Sequence, residues 1–149
     1  MGVCLKHGAF AAPLVLVIED NISDVFLLKR ALHKQNLRFE LLHLANGDDA
    51  LAFIRGEGDF SQAPVPSVIL LDLNLPKHNG ETILREIRGT QHLIGIPVCA
   101  WSSSQSRLDQ DLLIELGVVR FVTKPSGLDQ FMEIGKIIKD LLAVHPDER

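Results

Sequence analysis

The feature that most limits what this chain can fold into is an alternation, repeated five times, of a short apolar run with an amphipathic stretch. Leu14-Val15-Leu16-Val17-Ile18, Val68-Ile69-Leu70-Leu71 and Pro97-Val98-Cys99-Ala100-Trp101 are apolar throughout. A strand with no polar face has to be buried on both sides, which is the condition of a strand inside a parallel sheet. Phe39 to Leu44 and Val118 to Val122 read as two further strands. Between and after the runs, apolar residues recur at helical spacing: Val25, Leu28 and Leu32 within 24–36; Ala50, Leu51, Phe53 and Ile54; Ile83, Leu84 and Ile87; Leu108, Leu112, Leu113 and Leu116; and Phe131, Ile134, Ile138 and Leu141, fading near Pro146. Strands alternating with helices predict an α/β fold, a doubly wound (βα)5 five-stranded parallel sheet with helices on both faces. The local punctuation agrees. Ser23 is the expected N-cap of the first helix, with Asp24 in its first turn. Gly56 and Gly117 are the expected stops of the second and fourth helices, and 56–66 reads as a surface loop.

At 149 residues the chain has the size of one domain. We read 1–12 as an N-terminal extension, 13–143 as the domain and 144–149 as a tail. A net charge of −4 without any basic cluster argues against direct nucleic-acid binding. No apolar run reaches the ~20 residues of a membrane span. Lys6 followed by Gly8 to Ile18 has the outline of a signal peptide, but Pro13 interrupts the run and Glu19-Asp20 closes it without a cleavage site. Cys4 and Cys99 have no C-x-x-C spacing, and the six histidines lack metal-ligand spacing. Cys99 reads as a small buried hydrophobe, and the pair as reduced thiols, so a cytoplasmic location is expected.

In an open α/β sheet, ligands bind at the carboxyl ends of the strands. Here the first run ends in Glu19-Asp20, the third in Asp72, the fourth in Ser102, and the fifth leads to Lys124-Pro125. Each alone has a bland explanation: acidic residues follow many strands into solvent, and Ser102 begins a serine run that could cap a helix. The set is harder to dismiss, since it gathers carboxylates, a hydroxyl and an ammonium at one sheet edge.

Glu19-Asp20, the segment Leu70-Leu71-Asp72-Leu73-Asn74-Leu75-Pro76, Gly80, Ser102 and Lys124-Pro125, taken in that order, resemble a CheY-like response-regulator receiver domain over about 13–143. The resemblance implies a flavodoxin-like strand order 2-1-3-4-5. It implies that Asp72 accepts a phosphoryl group and that Mg²⁺ is held by Glu19, Asp20, Asp72 and the backbone carbonyl of Asn74. Lys124 and Ser102 would meet the phosphoryl oxygens, and Ser102 and Phe121 would act as the switch pair. The residue chemistry is consistent with these roles. A carboxylate can act as a nucleophile, Mg²⁺ takes hard oxygen ligands, and close carboxylates repel unless a cation relieves them. Asn74 and Ser104 stand where the family tunes phosphoryl lifetime, Ser103 is small enough to leave the phosphoryl group accessible, and Pro125 could set a cis bond that aims Lys124. Phe121 also has an ordinary reading as a core residue. Trp101 is expected to point away from Ser102 and fill the core beneath the fourth helix.

Asp-Leu-Asn-Leu-Pro and the long 56–66 loop look most like the small regulators paired with cyanobacterial and bacterial phytochromes. The implied donor is a sensor histidine kinase of that type. With few residues after the last helix, output is expected through contact with a downstream protein. Phe26, off the main stripe of the first helix, is either core or a kinase contact. The broad apolar face of the last helix predicts a homodimer through that helix and the fifth strand. Three other readings stay open: a phosphatase using an aspartyl-phosphate, against which Asn74 stands where such enzymes carry a second Asp; a receiver-like module that is never phosphorylated; and a flavin-binding module, disfavoured by the acidic Glu19-Asp20-Asn21 turn.

Overall fold

The computed structural model describes residues 12–102, 110–124 and 127–144. Of the residues singled out above, Cys4, Lys6, Gly8, Ser103, Ser104, Leu108, Pro125 and Pro146 lie outside these. The elements run β1 (Leu14–Ile18), α1 (Ile22–Lys34), β2 (Glu40–Leu44), α2 (Gly47–Arg55), β3 (Val68–Asp72), α3 (Gly80–Arg88), β4 (Val98–Ser102), α4 (Gln110–Glu115), β5 (Val118–Thr123) and α5 (Leu128–Val144). The strands form one parallel sheet in the order β2-β1-β3-β4-β5, as the alternation and the resemblance predict.

Strand parity sorts the core into two layers. Leu16, Ile18, Ile69, Leu71 and Ala100 face α2, α3 and α4. Val15, Val17, Val68, Leu70, Cys99 and Trp101 face α1 and α5. Every residue of β1, β3 and β4 is buried, which is why these runs needed no polar alternation. Trp101 therefore does not lie beneath α4 as expected. It is on the opposite face, edge-to-face against Phe131 of α5 with ring centroids 6.0 Å apart.

Local signals placed most boundaries. Gly56 ends α2 with φ 68°, and Gly117 follows α4 with φ 96°, both in the left-handed region that favours glycine. α1 starts two residues earlier than expected, because Asn21 and not Ser23 caps it: the Asn21 side chain accepts the Ser23 N–H at 2.9 Å. The 56–66 segment holds a 3₁₀ turn, Gly58–Phe60, whose Phe60 packs on Phe53. Phe26 is 59% exposed, so its core reading is excluded.

α5 is apolar on two sides because it packs on both the sheet and α1. Phe131, Ile134, Ile138 and Leu142 are buried there, with Met132, Ile137 and Leu141 half-buried on the same layer. At Gly135 the two helices come so close that an added Cβ would lie 2.8 Å from the carbonyl oxygen of Ala31. Gly135→Ala should gain about 1 kcal/mol in helix propensity. The clash with α1 backbone, which cannot step aside, outweighs this by overpacking. The expected net loss is about 1–2 kcal/mol, read from the urea midpoint, with Gly135→Val losing more. An unchanged or raised midpoint would contradict the close contact.

Candidate functional site

The strand order makes β1 and β3 neighbours, so the residues that follow β1 lie beside the last residue of β3. Continuing the parity of Val15-Val17 and Leu70 puts Glu19 and Asp72 on the α1/α5 face. Both are buried, Asp20 is exposed, and one carboxylate oxygen of each of the three lies within 4.8 Å of the others. Backbone groups fix this cluster. The Asn74 N–H donates to Asp72 Oδ1 at 2.8 Å and the Asn21 N–H to Glu19 Oε2 at 2.9 Å. His43, at the end of β2, holds the Glu19 carbonyl through Nε2 at 2.6 Å. A carbonyl only accepts, so Nε2 carries the proton.

Lys124 follows β5 and reaches back across the sheet. Its Nζ lies 2.9 Å from Glu19 Oε1, 3.1 Å from Asp24 Oδ2 and 3.4 Å from Asp72 Oδ2. It also stands 5.3 Å from the centroid of the Trp101 ring. One ammonium thus serves three carboxylates, two of them buried. Burial pushes the Glu19 carboxyl up to about 7, with the charge of Asp72 adding to the rise and Lys124 and the Asn21 N–H opposing it. Burial alone would lower the Lys124 ammonium; its bonds to Glu19 and Asp24 outweigh that and hold it above the ordinary lysine value.

Negative charge exceeds positive charge among these groups, and the donors are all hard oxygens. Glu19, Asp20 and Asp72 therefore suit a Mg²⁺-like cation, which commonly binds through one or two carboxylates and water. Ser102 ends β4 and is fully buried on the opposite parity to Trp101. The Asn74 side chain, to which the sequence reading gave no structural part, donates through Nδ2 to Ser102 Oγ at 3.1 Å. Phe121, paired with Ala100 across the β4–β5 ladder, is half-buried against the layer of α2, α3 and α4. It is not the fully buried core residue of its ordinary reading.

Glu19, Asp20, Asp72 and Lys124 are thus brought together, with Ser102 bonded to the loop that follows Asp72. The sequence reading missed three neighbours. Asp24 was taken only as a favourable charge in the first turn of α1, His43 as a loosely alternating strand residue, and Trp101 as filler. Cys99, as expected, is buried, and burial pushes its thiol up to about 12, so it has no thiolate chemistry near neutral pH.

Comparison with known proteins agrees with the geometry. The family model for the response regulator receiver domain matches residues 15–136. Response regulator Rcp1 of Synechocystis sp. is 34% identical over 121 residues, which is 81% of this chain and 82% of Rcp1. The crystal structure of phosphorylated RcpA, a cyanobacterial phytochrome response regulator, superposes with a TM-score of 0.80 at 34% identity, covering 89% of this chain and 95% of that one. The Mn²⁺-bound form of Rcp1 gives 0.77 at 33% identity, covering 86% and 92%. The bacteriophytochrome response regulator AtBRR gives 0.67 at 40% identity, covering 87% and 92%. The order of the strands, the acidic cluster at their carboxyl edge and these likenesses agree, and the chain belongs to the response regulator receiver family.

Proposed function

We propose that this receiver domain, residues 13–143, accepts a phosphoryl group on Asp72 from a phosphohistidine of a sensor kinase and signals through the resulting change of shape. The observation that carries this reading is the buried Asp72 carboxylate, held by the Asn74 N–H, beside Glu19 and Asp20 and within 3.4 Å of the Lys124 ammonium. In the transfer, a carboxylate oxygen of Asp72 forms the P–O bond as the donor's P–N bond breaks, and the leaving imidazole nitrogen keeps that electron pair. Glu19, Asp20, Asp72 and the Asn74 carbonyl would hold Mg²⁺, whose charge offsets that of the carboxylates and phosphoryl oxygens. Lys124 moves from shared carboxylates to a phosphoryl oxygen, and Ser102 gives up the Asn74 amide to donate its hydroxyl there. Phe121, half-buried on β5 beside β4, would then turn inward as the second member of the switch pair. In this way the domain assists its own phosphorylation and dephosphorylation while remaining a signalling protein.

The donor we propose is a phytochrome-type histidine kinase, in view of the relatives named above, with a downstream protein as reader and the cytoplasm as location. Among the described residues no helix is long and apolar enough to cross a membrane. A homodimer through α5 and β5 belongs to the same reading. β5 is an edge strand of the sheet, and Val119 on it and Leu128 at the start of α5 are about half exposed. Sedimentation should find dimers at tens of micromolar; monomers under every phosphorylation condition would sink this part.

The deciding experiment uses phosphoramidate as donor, with and without Mg²⁺. The expected result is one hydroxylamine-sensitive phosphoryl group per chain, formed only with the metal. No uptake under any condition, or uptake indifferent to Mg²⁺, overturns the proposal.

A pH prediction follows from Glu19. With its folded value pushed up to about 7 from an ordinary 4.5, the proton competes with the cation. Mg²⁺ affinity should fall by up to about tenfold per unit as pH drops below about 7. For the metal-free protein the sign is opposite. The stability this group contributes is full below about 4.5 and is lost as pH rises through about 7. Calorimetric Mg²⁺ titrations at pH 6 and 8 check this, and in Glu19→Gln the pH dependence should flatten.

A further inference from the structure

Trp101 is the last apolar residue before Ser102 on β4 and is fully buried. Its register partner on β3 is Asp72, so the two side chains share the α1/α5 face. The Lys124 ammonium lies 5.3 Å from the indole centroid, within the range where the negative face of an aromatic ring attracts a cation. Phe131 of α5 meets the same ring at 87°. The indole N–H finds no acceptor among the described residues, so what this side chain offers its surroundings is its ring. An aliphatic residue could fill the same core but would present no such face to the ammonium.

We propose that Trp101 is a positioning residue: its indole face seats the Lys124 ammonium within reach of Asp72, and its edge contact with Phe131 carries displacement of that ammonium to α5. The inference rests on the phosphoacceptor reading of Asp72. In the unphosphorylated protein the ammonium is shared among Glu19, Asp24 and Asp72 above the ring. A phosphoryl group on Asp72 adds negative charge farther from the strand and draws the ammonium toward it. The ring then loses its cation, and its contact with Phe131 is free to relax.

The chain contains one tryptophan, so its emission reports on this ring alone. The test compares wild type, Trp101→Phe and Trp101→Leu, using phosphoramidate with saturating Mg²⁺. Trp101→Leu should take up the phosphoryl group about three- to tenfold more slowly, with the Mg²⁺ dissociation constant changed by less than about twofold. Trp101→Phe, which keeps a π face, should retain at least about half the wild-type rate. A merely structural role would lower stability in both variants without that rescue. Wild-type emission should change on phosphorylation and stay unchanged in identically treated Asp72→Asn. A Trp101→Leu rate equal to wild type overturns the inference; should that variant not fold, unchanged emission in fully phosphorylated wild type overturns it equally. Failure of wild type to take up any phosphoryl group instead removes the Asp72 reading beneath it.

Discussion

Replacing Asp72 by Asn is expected to abolish phosphoryl uptake, by about 10³-fold or more, while leaving the fold intact. The chemical half of this expectation follows from the loss of the nucleophilic oxygen. The structural half follows from what the amide can still do. Its Oδ1 can accept the Asn74 N–H that now lies 2.8 Å from Asp72. The ammonium contact that is lost, at 3.4 Å, is the longest of the three Lys124 makes to carboxylates. Against that loss stands the relief of repulsion between a buried Asp72 and a buried Glu19, whose raised carboxyl already registers it. Relief should win in the metal-free protein, by about 1 kcal/mol, seen as a melting temperature about 2–5 °C higher. The stabilisation that Mg²⁺ gives wild type should shrink, since one carboxylate ligand is gone. Calorimetry with and without Mg²⁺, beside the labelling assay, reads all three. Undiminished labelling would move the phosphoacceptor elsewhere, and a large fall in melting temperature would mean that Asp72 is a structural ion-pair partner instead.

The strands were legible because burial on both faces removes polar residues from them, and β1, β3 and β4 are buried at every position. The site's main members were legible for a related reason. A charged or hydroxyl residue that ends such a run can only stand at the sheet edge, which placed Glu19, Asp72 and Ser102; Lys124 follows a partly exposed strand and was placed by its order in the alternation and by the resemblance. What could not be read were interactions between elements. Asp24 looks like a favourable first-turn acid on α1, and only the fold brings Lys124, one hundred residues away in the chain, to 3.1 Å from it. His43 on a half-buried edge strand carries no periodic signal that it will hold the Glu19 carbonyl. Trp101 had its direction relative to Ser102 read correctly from strand alternation, but alternation does not say which helices cover which face. The breadth of α5 was visible, yet a second subunit and α1 demand the same apolar stripe. Gly135, at the α1 contact, is the residue through which α1 comes so close.

Lys124→Met should separate two duties carried by one ammonium, as counterion to the carboxylates and as partner of the transferring group. Methionine keeps much of the stem's length and apolar contact and removes the charge, leaving Glu19, Asp24 and Asp72 without their shared counterion. The Lys124 side chain is 12% exposed and that of Glu19 not at all, so little solvent screening softens the loss. Leaving buried charges without a partner costs about 3 kcal/mol or more at pH 8 without metal. Toward pH 6 the loss should shrink, because Glu19, already pushed up to about 7, takes up a proton instead of remaining charged. Added Mg²⁺ should restore most of the stability and bind more tightly than to wild type, since no ammonium competes for the same carboxylates. Phosphoryl uptake should not recover with it. A cation bound to the carboxylates cannot also replace the charge that Lys124 brings to the transferring group, and losing one such contact typically slows a reaction by about 10²–10³-fold. Denaturant titrations at pH 6 and 8, each with and without Mg²⁺, together with uptake rates from phosphoramidate, give the full comparison. If Mg²⁺ restores stability and rate together, Lys124 is only a counterion for the acidic cluster. If it restores neither, the stem of Lys124 is holding the packing between β5 and Trp101.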